Sequence, residues 1–319
     1  PFVNDPTMTS PDYNFSDFSA AAVAGERIKN QLTGIPLNVE GPIFYYRKDI
    51  LSKYGFKVPR TLDELETTVK KLHEVLPKDI AAFTSRGLRA AIAYTFGPFF
   101  HNMGAEWFDE NGNSAMSSEA GVKALDLYGR LLREYGPPGV INYTFYQITN
   151  LLGQKKTALA FESSNEFGNI ISHYKGEEHL LGVGLLPEGP GGSHPTVIGW
   201  GVSISAFSKH KGAAWYFVQW ATSPEMQKRL ALKGIASPRI SNWESKEFKA
   251  WLSEVPIRQQ WADTLVEMMK IGTAEIAPPV EDQPKVRDII GDAVQKVILG
   301  TASAKEAARV ADQQINRLK

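Results

Sequence analysis

The chain has 319 residues, more than a single hydrophobic core usually organises, so two lobes or domains are expected. Its 35 basic and 35 acidic residues balance, which gives no reason to expect nucleic acid as a partner. The absence of cysteine excludes disulfides and thiolate chemistry, and no apolar run is long enough to span a bilayer.

In chain order, residues 1–20, rich in Pro, Asp, Ser and aromatics, read as an irregular surface segment. Residues 21–31 suggest a short helix ending near Gly34. Ile43 to Tyr46 reads as a buried strand, and Asp49 to Tyr54 as a helical turn closed by Gly55. Thr61 and Glu64 have capping-box spacing ahead of an amphipathic helix carrying Leu62, Leu65, Val69 and Leu72 on one face. Ile80 to Ser85 predicts a strand and residues 88–103 a buried helix. Asp109 to Asn113 predicts a hairpin through Asn-Gly, with a calcium loop as the weaker alternative because Gly112 falls one place early.

Residues 118–135 predict a second amphipathic helix, stopped by Gly136-Pro137-Pro138, and residues 145–153 suggest another. Thr157 to Phe161 reads as a strand leading to Glu162-Ser163-Ser164-Asn165, Phe167 to His173 as helix, and Leu181 to Leu186 as strand. Glu188 to Ser193 reads as a flexible glycine-rich loop. A strand follows it, where a phosphate cradle would need a helix and a Lys. Gly199-Trp200-Gly201 opens a strand-like alternation through Val202, Ile204 and Ala206. Two glycines there bring the backbone close to something, with a large ring between them.

An amphipathic helix follows Lys211. Ser223-Pro224 starts the next, and Gly234 ends it. Residues 246–252, 256–270 and 284–299 read as helices, with Pro278-Pro279 as a break, and Ser303 with Glu306 as a capping box for the last helix. Strands alternate with helices throughout, which predicts an α/β layered fold. The six His show no metal-ligand spacing, so neither a metal nor a cofactor is expected. No G-x-S-x-G elbow is present.

Several blocks together resemble the family 1 extracellular solute-binding proteins of bacterial ABC importers, the group that includes maltose-binding protein. They are Ile43 to Asp49 with Tyr54-Gly55, Pro59 and Thr61 to Leu65; Gly153 to Ala160; Pro187 to Gly192 with Gly199-Trp200-Gly201; and Gly300 to Leu318. They stand in the family order and span nearly the whole chain. The Gly-Trp-Gly detail leans toward the branch that carries sugars and sugar alcohols. The resemblance implies a two-lobed, periplasmic-binding-protein-like α/β fold (type II), with ligand in a cleft between lobes joined by three crossings, near 37–41, 199–201 and 240–243. Residues 1–37 and 201–242 would form the first lobe, and 38–200 with 243–319 the second. Family members open with a longer β-α-β-α stretch, so the chain is expected to lack the start of its first lobe.

A sugar offers apolar C–H faces and a ring of hydroxyls, which call for an aromatic platform and hydrogen-bonding groups in fixed geometry. Trp200, beside Gly199, is the platform candidate, against a packing role in the core. The resemblance places Glu40 where the maltose branch has a ligand carboxylate; a solvated loop Glu is the alternative. Ser163, Ser164 and Asn165 follow a strand end, where open α/β sheets bind ligands; a helix N-cap is the alternative. Asn165 replaces an aromatic platform of the maltose branch, which favours a smaller, hydroxyl-rich ligand. Arg86 and Arg239 are further candidates that could equally be surface residues, and Arg287, at another aromatic position of that branch, is weaker. Of Tyr45 and Tyr46, at most one can face a ligand.

The function expected is a receptor, not an enzyme: it binds a sugar or polyol, closes by hinge bending, and delivers its cargo to the membrane subunits of an ABC importer. The location expected is the periplasm, or the outer face of the cytoplasmic membrane if lipid-anchored, and the state a monomer. The alternatives are a carbohydrate-active enzyme using a carboxylate pair, and a receptor of the same fold for another solute.

Overall fold

A computed structural model describes residues 2–278 and 280–318. The expected break at Pro278-Pro279 thus falls partly on Pro279, outside the described residues. The chain separates into two compact units, Pro1–Glu40 with Ile198–Leu265, and Gly41–Val197 with Val266–Lys319. The last boundary lies within the helix Pro256–Ile271, well beyond the 240–243 drawn from the resemblance.

In the first unit, Ser19 caps the short helix Ala20–Gly25 by accepting from the Ala22 N–H. The residues that follow do not continue that helix as expected. They form a hairpin, β1 (Arg27–Ile28) and β2 (Gln31–Leu32), because Lys29 and Asn30 both adopt positive φ, the geometry of a tight two-residue turn. Next, β3 (Ile35–Glu40) meets a strand from far along the chain, as described below.

The opening segment differs from its reading as irregular surface. Its 3-10 turns bury Tyr13 and Phe18 against Ile35, Trp215 and Val218. Trp215 and Val218 come from the helix Lys211–Ala221, and the Trp215 indole N–H donates to Met8 O at 3.1 Å. Apolar burial of these rings holds down a segment whose composition suggests a loop.

The second unit is built on a four-stranded sheet, ordered β5 (Ala81–Thr84), β6 (Thr157–Ser163), β4 (Pro42–Arg47), β7 (Leu181–Gly184). Only β5 and β6 run parallel; β4 is antiparallel to both its neighbours. Both faces of β4 and β6 are covered, so every residue in them is buried and neither strand alternates. Tyr45 and Tyr46 are accordingly both interior, and the Tyr45 hydroxyl donates to Ser163 O at 2.8 Å.

The helix Arg89–Asn102 carries Phe96, Phe99 and Phe100 into an aromatic core with Trp107, Tyr128 and Phe161. It packs on Gln283–Ile298 and on Glu119–Tyr135, which in turn meets Ala304–Asn316. Close approach is possible because Gly291 lies against Arg89 O and Gly129 against Val297. Thr61, Ser118 and Ser303 each cap their helices through the side-chain oxygen. The Glu64 carboxylate reaches back chiefly to the Arg60 N–H, whereas at the second expected capping box Glu306 pairs with Arg309 instead.

The glycine-rich loop is a held turn rather than a flexible one. The Asn102 side chain donates to Pro187 O and accepts from the His194 N–H, while its carbonyl accepts from Gly191. A Cβ on Gly189 would sit 2.1 Å from that carbonyl, so the glycine is needed for contact. At 109–113 the turn forms as expected, and Asp109 Oδ1 accepts the Asn111 and Asn113 N–H groups.

Candidate ligand-binding residues

In the first unit, β8 (Ile198–Val202) pairs antiparallel with β3, setting Trp200 opposite Asn38, Gly199 opposite Val39 and Ile198 opposite Glu40. Trp200 is 57% exposed although it sits mid-strand between two glycines. Its indole N–H donates to Glu40 Oε1 at 2.5 Å, and Glu40 itself is buried. Glu40 is therefore not a solvated loop residue. A charge-assisted bond from a buried carboxylate fixes the ring while leaving its face to solvent.

The two glycines do different things. A Cβ on Gly201 would fall 1.9 Å from the Glu26 carboxylate, and one on Gly34 would fall 2.3 Å from it. Gly199 would meet only Asn38 O at 3.5 Å, an ordinary contact. Strand alternation puts Glu26 on the face of β8 opposite Trp200. Burial raises the Glu26 carboxyl above the usual carboxylate range. Nothing at the sequence level points to Glu26; only the steric demand at two glycines far apart in the chain reveals it.

In the second unit, the candidates gather where β6 ends. Glu162 is fully buried and takes a fork from Arg86, whose Nε lies 3.0 Å from both carboxylate oxygens. The Arg86 guanidinium lies 4.2 Å from the Tyr94 ring centroid. Glu162 Oε1 also accepts the Ser163 N–H at 2.7 Å. Ser163 Oγ caps the following turn by accepting from the Asn165 N–H, and Ser164 bonds Gly41 through both its backbone N–H and its hydroxyl oxygen. Ser163 and Ser164 are buried at 3% and 0%, so their hydroxyls build the strand end. Asn165 is half-buried, and its amide oxygen has no hydrogen-bond donor among the described residues.

Arg239 is corrected. It is fully buried in the first unit, with Nε on Thr222 O, Nη1 on Asn14 O, Nη2 on Tyr13 O and a 3.3 Å ion pair to Asp17. Phe18 stacks 4.0 Å from its guanidinium carbon. Both terminal nitrogens are engaged by the opening segment and Nε by Thr222, so Arg239 is an internal post that holds that segment, not a ligand contact. Among the described residues no group of His, Asp or Glu could hold a metal ion, and no helix is long and apolar enough to cross a membrane.

The chain divides into two α/β units, the first with a half-exposed ring beside a buried carboxylate and the second with polar side chains at a strand end. It belongs to the family of bacterial extracellular solute-binding proteins, whose model matches residues 3–228. Members bind small-molecule solutes for ABC importers, and the chain is a binding protein rather than an enzyme. A probable amino-acid ABC transporter periplasmic-binding protein of Sinorhizobium fredii is 25% identical over 94% of this chain and 67% of its own. The mannitol-binding protein of Pseudomonas aeruginosa is 28% identical over 80% of this chain and 60% of its own. The chain thus spans about two thirds or less of these curated relatives.

Among solved structures, a maltose-bound binding protein of T. maritima superposes with a TM-score of 0.84 at 22% identity, over 96% of this chain and 78% of the other. An Agrobacterium vitis binding protein with bound D-mannitol gives 0.83 at 21%, over 97% and 78%. At these identities the likeness shows the fold, that of type II periplasmic binding proteins.

Proposed function

We propose that this chain is the ligand-binding part of an extracytoplasmic receptor for a sugar or sugar alcohol, and that it closes on its solute by hinge bending for delivery to an ABC importer. The observation that carries the reading is the half-exposed Trp200 ring held by buried Glu40. An indole face suits the C–H face of a sugar, and a carboxylate beside it accepts from hydroxyls. The relatives named for mannitol, erythritol and L-threitol, and the bound ribitol and D-mannitol of similar folds, support this solute class. The one named for amino acids keeps a non-sugar solute as a second reading.

Within this proposal, Trp200, Gly199 and Glu40 are contacts of the first unit, and Asn165 of the second. Arg86 orients the strand end through Glu162, and Ser163 and Ser164 fix Asn165 from behind. The location proposed is the periplasm or a lipid-anchored position outside the cytoplasmic membrane, and the working state is a monomer. A micromolar dissociation constant, about −8 kcal/mol, suits a receptor that must release its cargo. The test is a thermal-shift screen against sugars, polyols and amino acids, followed by product analysis for each stabilising compound. Stabilisation by a polyol without turnover supports the receptor; stabilisation by amino acids alone overturns the solute class.

A further inference from the structure

The charged cluster that meets the end of β6 through Glu162 is unevenly paired. Arg86 is matched by Glu162, and Arg89 by Asp288 at 3.5 Å and Asp292 at 2.7 Å. Arg287, from the first turns of the helix Gln283–Ile298, lies in the field of Arg86 and has no ion pair among the described residues. It donates Nη2 to Ala90 O at 3.1 Å, and its Nε is buried without an acceptor. The side chain is half-buried. Burial, and then the like charge of Arg86, lower its affinity for its proton below that of an ordinary guanidinium, though it remains charged.

A half-buried guanidinium whose neighbouring carboxylates are all engaged with other arginines is under-compensated. Its planar fork matches an oxyanion better than a single hydroxyl. In the same unit, the Asn165 amide oxygen also lacks a donor among the described residues.

We propose that Arg287 is a specificity-determining contact and that the solute is a polyhydroxy compound bearing an oxyanion, a phosphate, sulfonate or carboxylate. This rests on the sugar and polyol reading above and narrows it: the anionic end of the solute goes to Arg287. Arg86, held by Glu162, stays a positioning residue.

The experiment is calorimetric titration of the protein and of Arg287→Gln with matched pairs: glycerol and sn-glycerol 3-phosphate, mannitol and mannitol 1-phosphate, glucose with glucuronate and with 6-deoxy-6-sulfoglucose. The arms separate the three oxyanions. The expected result is that one oxyanion compound binds at least about tenfold tighter than its neutral parent, and that Arg287→Gln removes this advantage while leaving the parent's affinity within about threefold. Unchanged circular dichroism and melting of the variant show that the fold is kept. A neutral parent that binds as tightly as its charged partner overturns the inference and leaves the receptor reading standing. So does an Arg287→Gln variant that weakens both members of a pair equally, or neither. Failure of every compound, charged and neutral, overturns both.

Discussion

In the proposed site, Trp200 and Glu40 act as one unit, because the indole N–H lies on the carboxylate while the ring face stays open. Trp200→Ala is expected to weaken solute binding by about 1–3 kcal/mol, the scale of a buried aromatic contact. Trp200→Phe keeps a ring but removes the donor to a buried carboxylate. It should lower the stability of the unliganded protein by about 1–3 kcal/mol as well. An unchanged dissociation constant in Trp200→Ala, with the fold intact, would remove Trp200 from the ligand set.

Glu26 carries a different prediction. Its carboxyl is raised by burial, so the native state holds this proton more tightly than the unfolded chain. Its contribution to stability is full below the usual carboxylate range and is lost as pH rises through the raised value. Glu26→Gln mimics the protonated form and should therefore melt above the parent at pH 7. The difference should shrink toward zero once the pH falls below the usual carboxylate range. Melting curves that stay parallel across pH would show that Glu26 feels no such burial.

Among the elements, helix spacing is set by backbone contact at glycine. A Cβ on Gly291 would stand 2.0 Å from Arg89 O and 2.7 Å from its carbonyl carbon, and neither backbone can yield alone. Gly291→Ala should cost about 1–3 kcal/mol through forced separation of the helices Gln283–Ile298 and Arg89–Asn102. Gly184→Ala, on β7 with nothing within 4 Å, is the control and should change stability by less than about 0.5 kcal/mol. Equal effects of the two in chemical denaturation would remove the packing argument.

Helices were legible where period and cap coincide, as at Thr61 with Leu62, Leu65, Val69 and Leu72. The buried strands β4 and β6 were legible as apolar runs. What local pattern could not supply was long-range partnership. Tyr13 and Phe18 look like loop residues until Arg239 and Trp215, about two hundred positions on, close over them. For the same reason Arg239 looked like a candidate contact: sequence shows a guanidinium after Pro238, but not the carbonyls that consume it. Glu40 and Trp200, 160 positions apart, could be proposed singly but not joined. Arg287 differs from its neighbours only in lacking a carboxylate, which is a property of the folded arrangement.

For the whole molecule, binding to the folded state alone raises stability by mass action. Solute at a hundredfold excess over its dissociation constant should add about 2.7 kcal/mol, read as a concentration-dependent rise in melting temperature. With two compact units, melting need not be a single transition. A solute that touches both should raise both transitions, and one that raises only the transition of the unit holding Trp200 would confine the site to that unit.

The bond between the Trp200 indole and Glu40 also makes this side chain a built-in optical probe. Of the seven tryptophans, Trp107, Trp215 and Trp261 are buried in cores, whereas Trp200 joins a half-solvated ring to a neighbouring negative charge. Indole emission responds to both water and nearby charge, so a solute covering that face displaces the one and screens the other. If Trp200 is the platform proposed, occupancy is expected as a blue-shifted change in intrinsic fluorescence without any label, and Trp200→Phe, which keeps the other six tryptophans, should not show it.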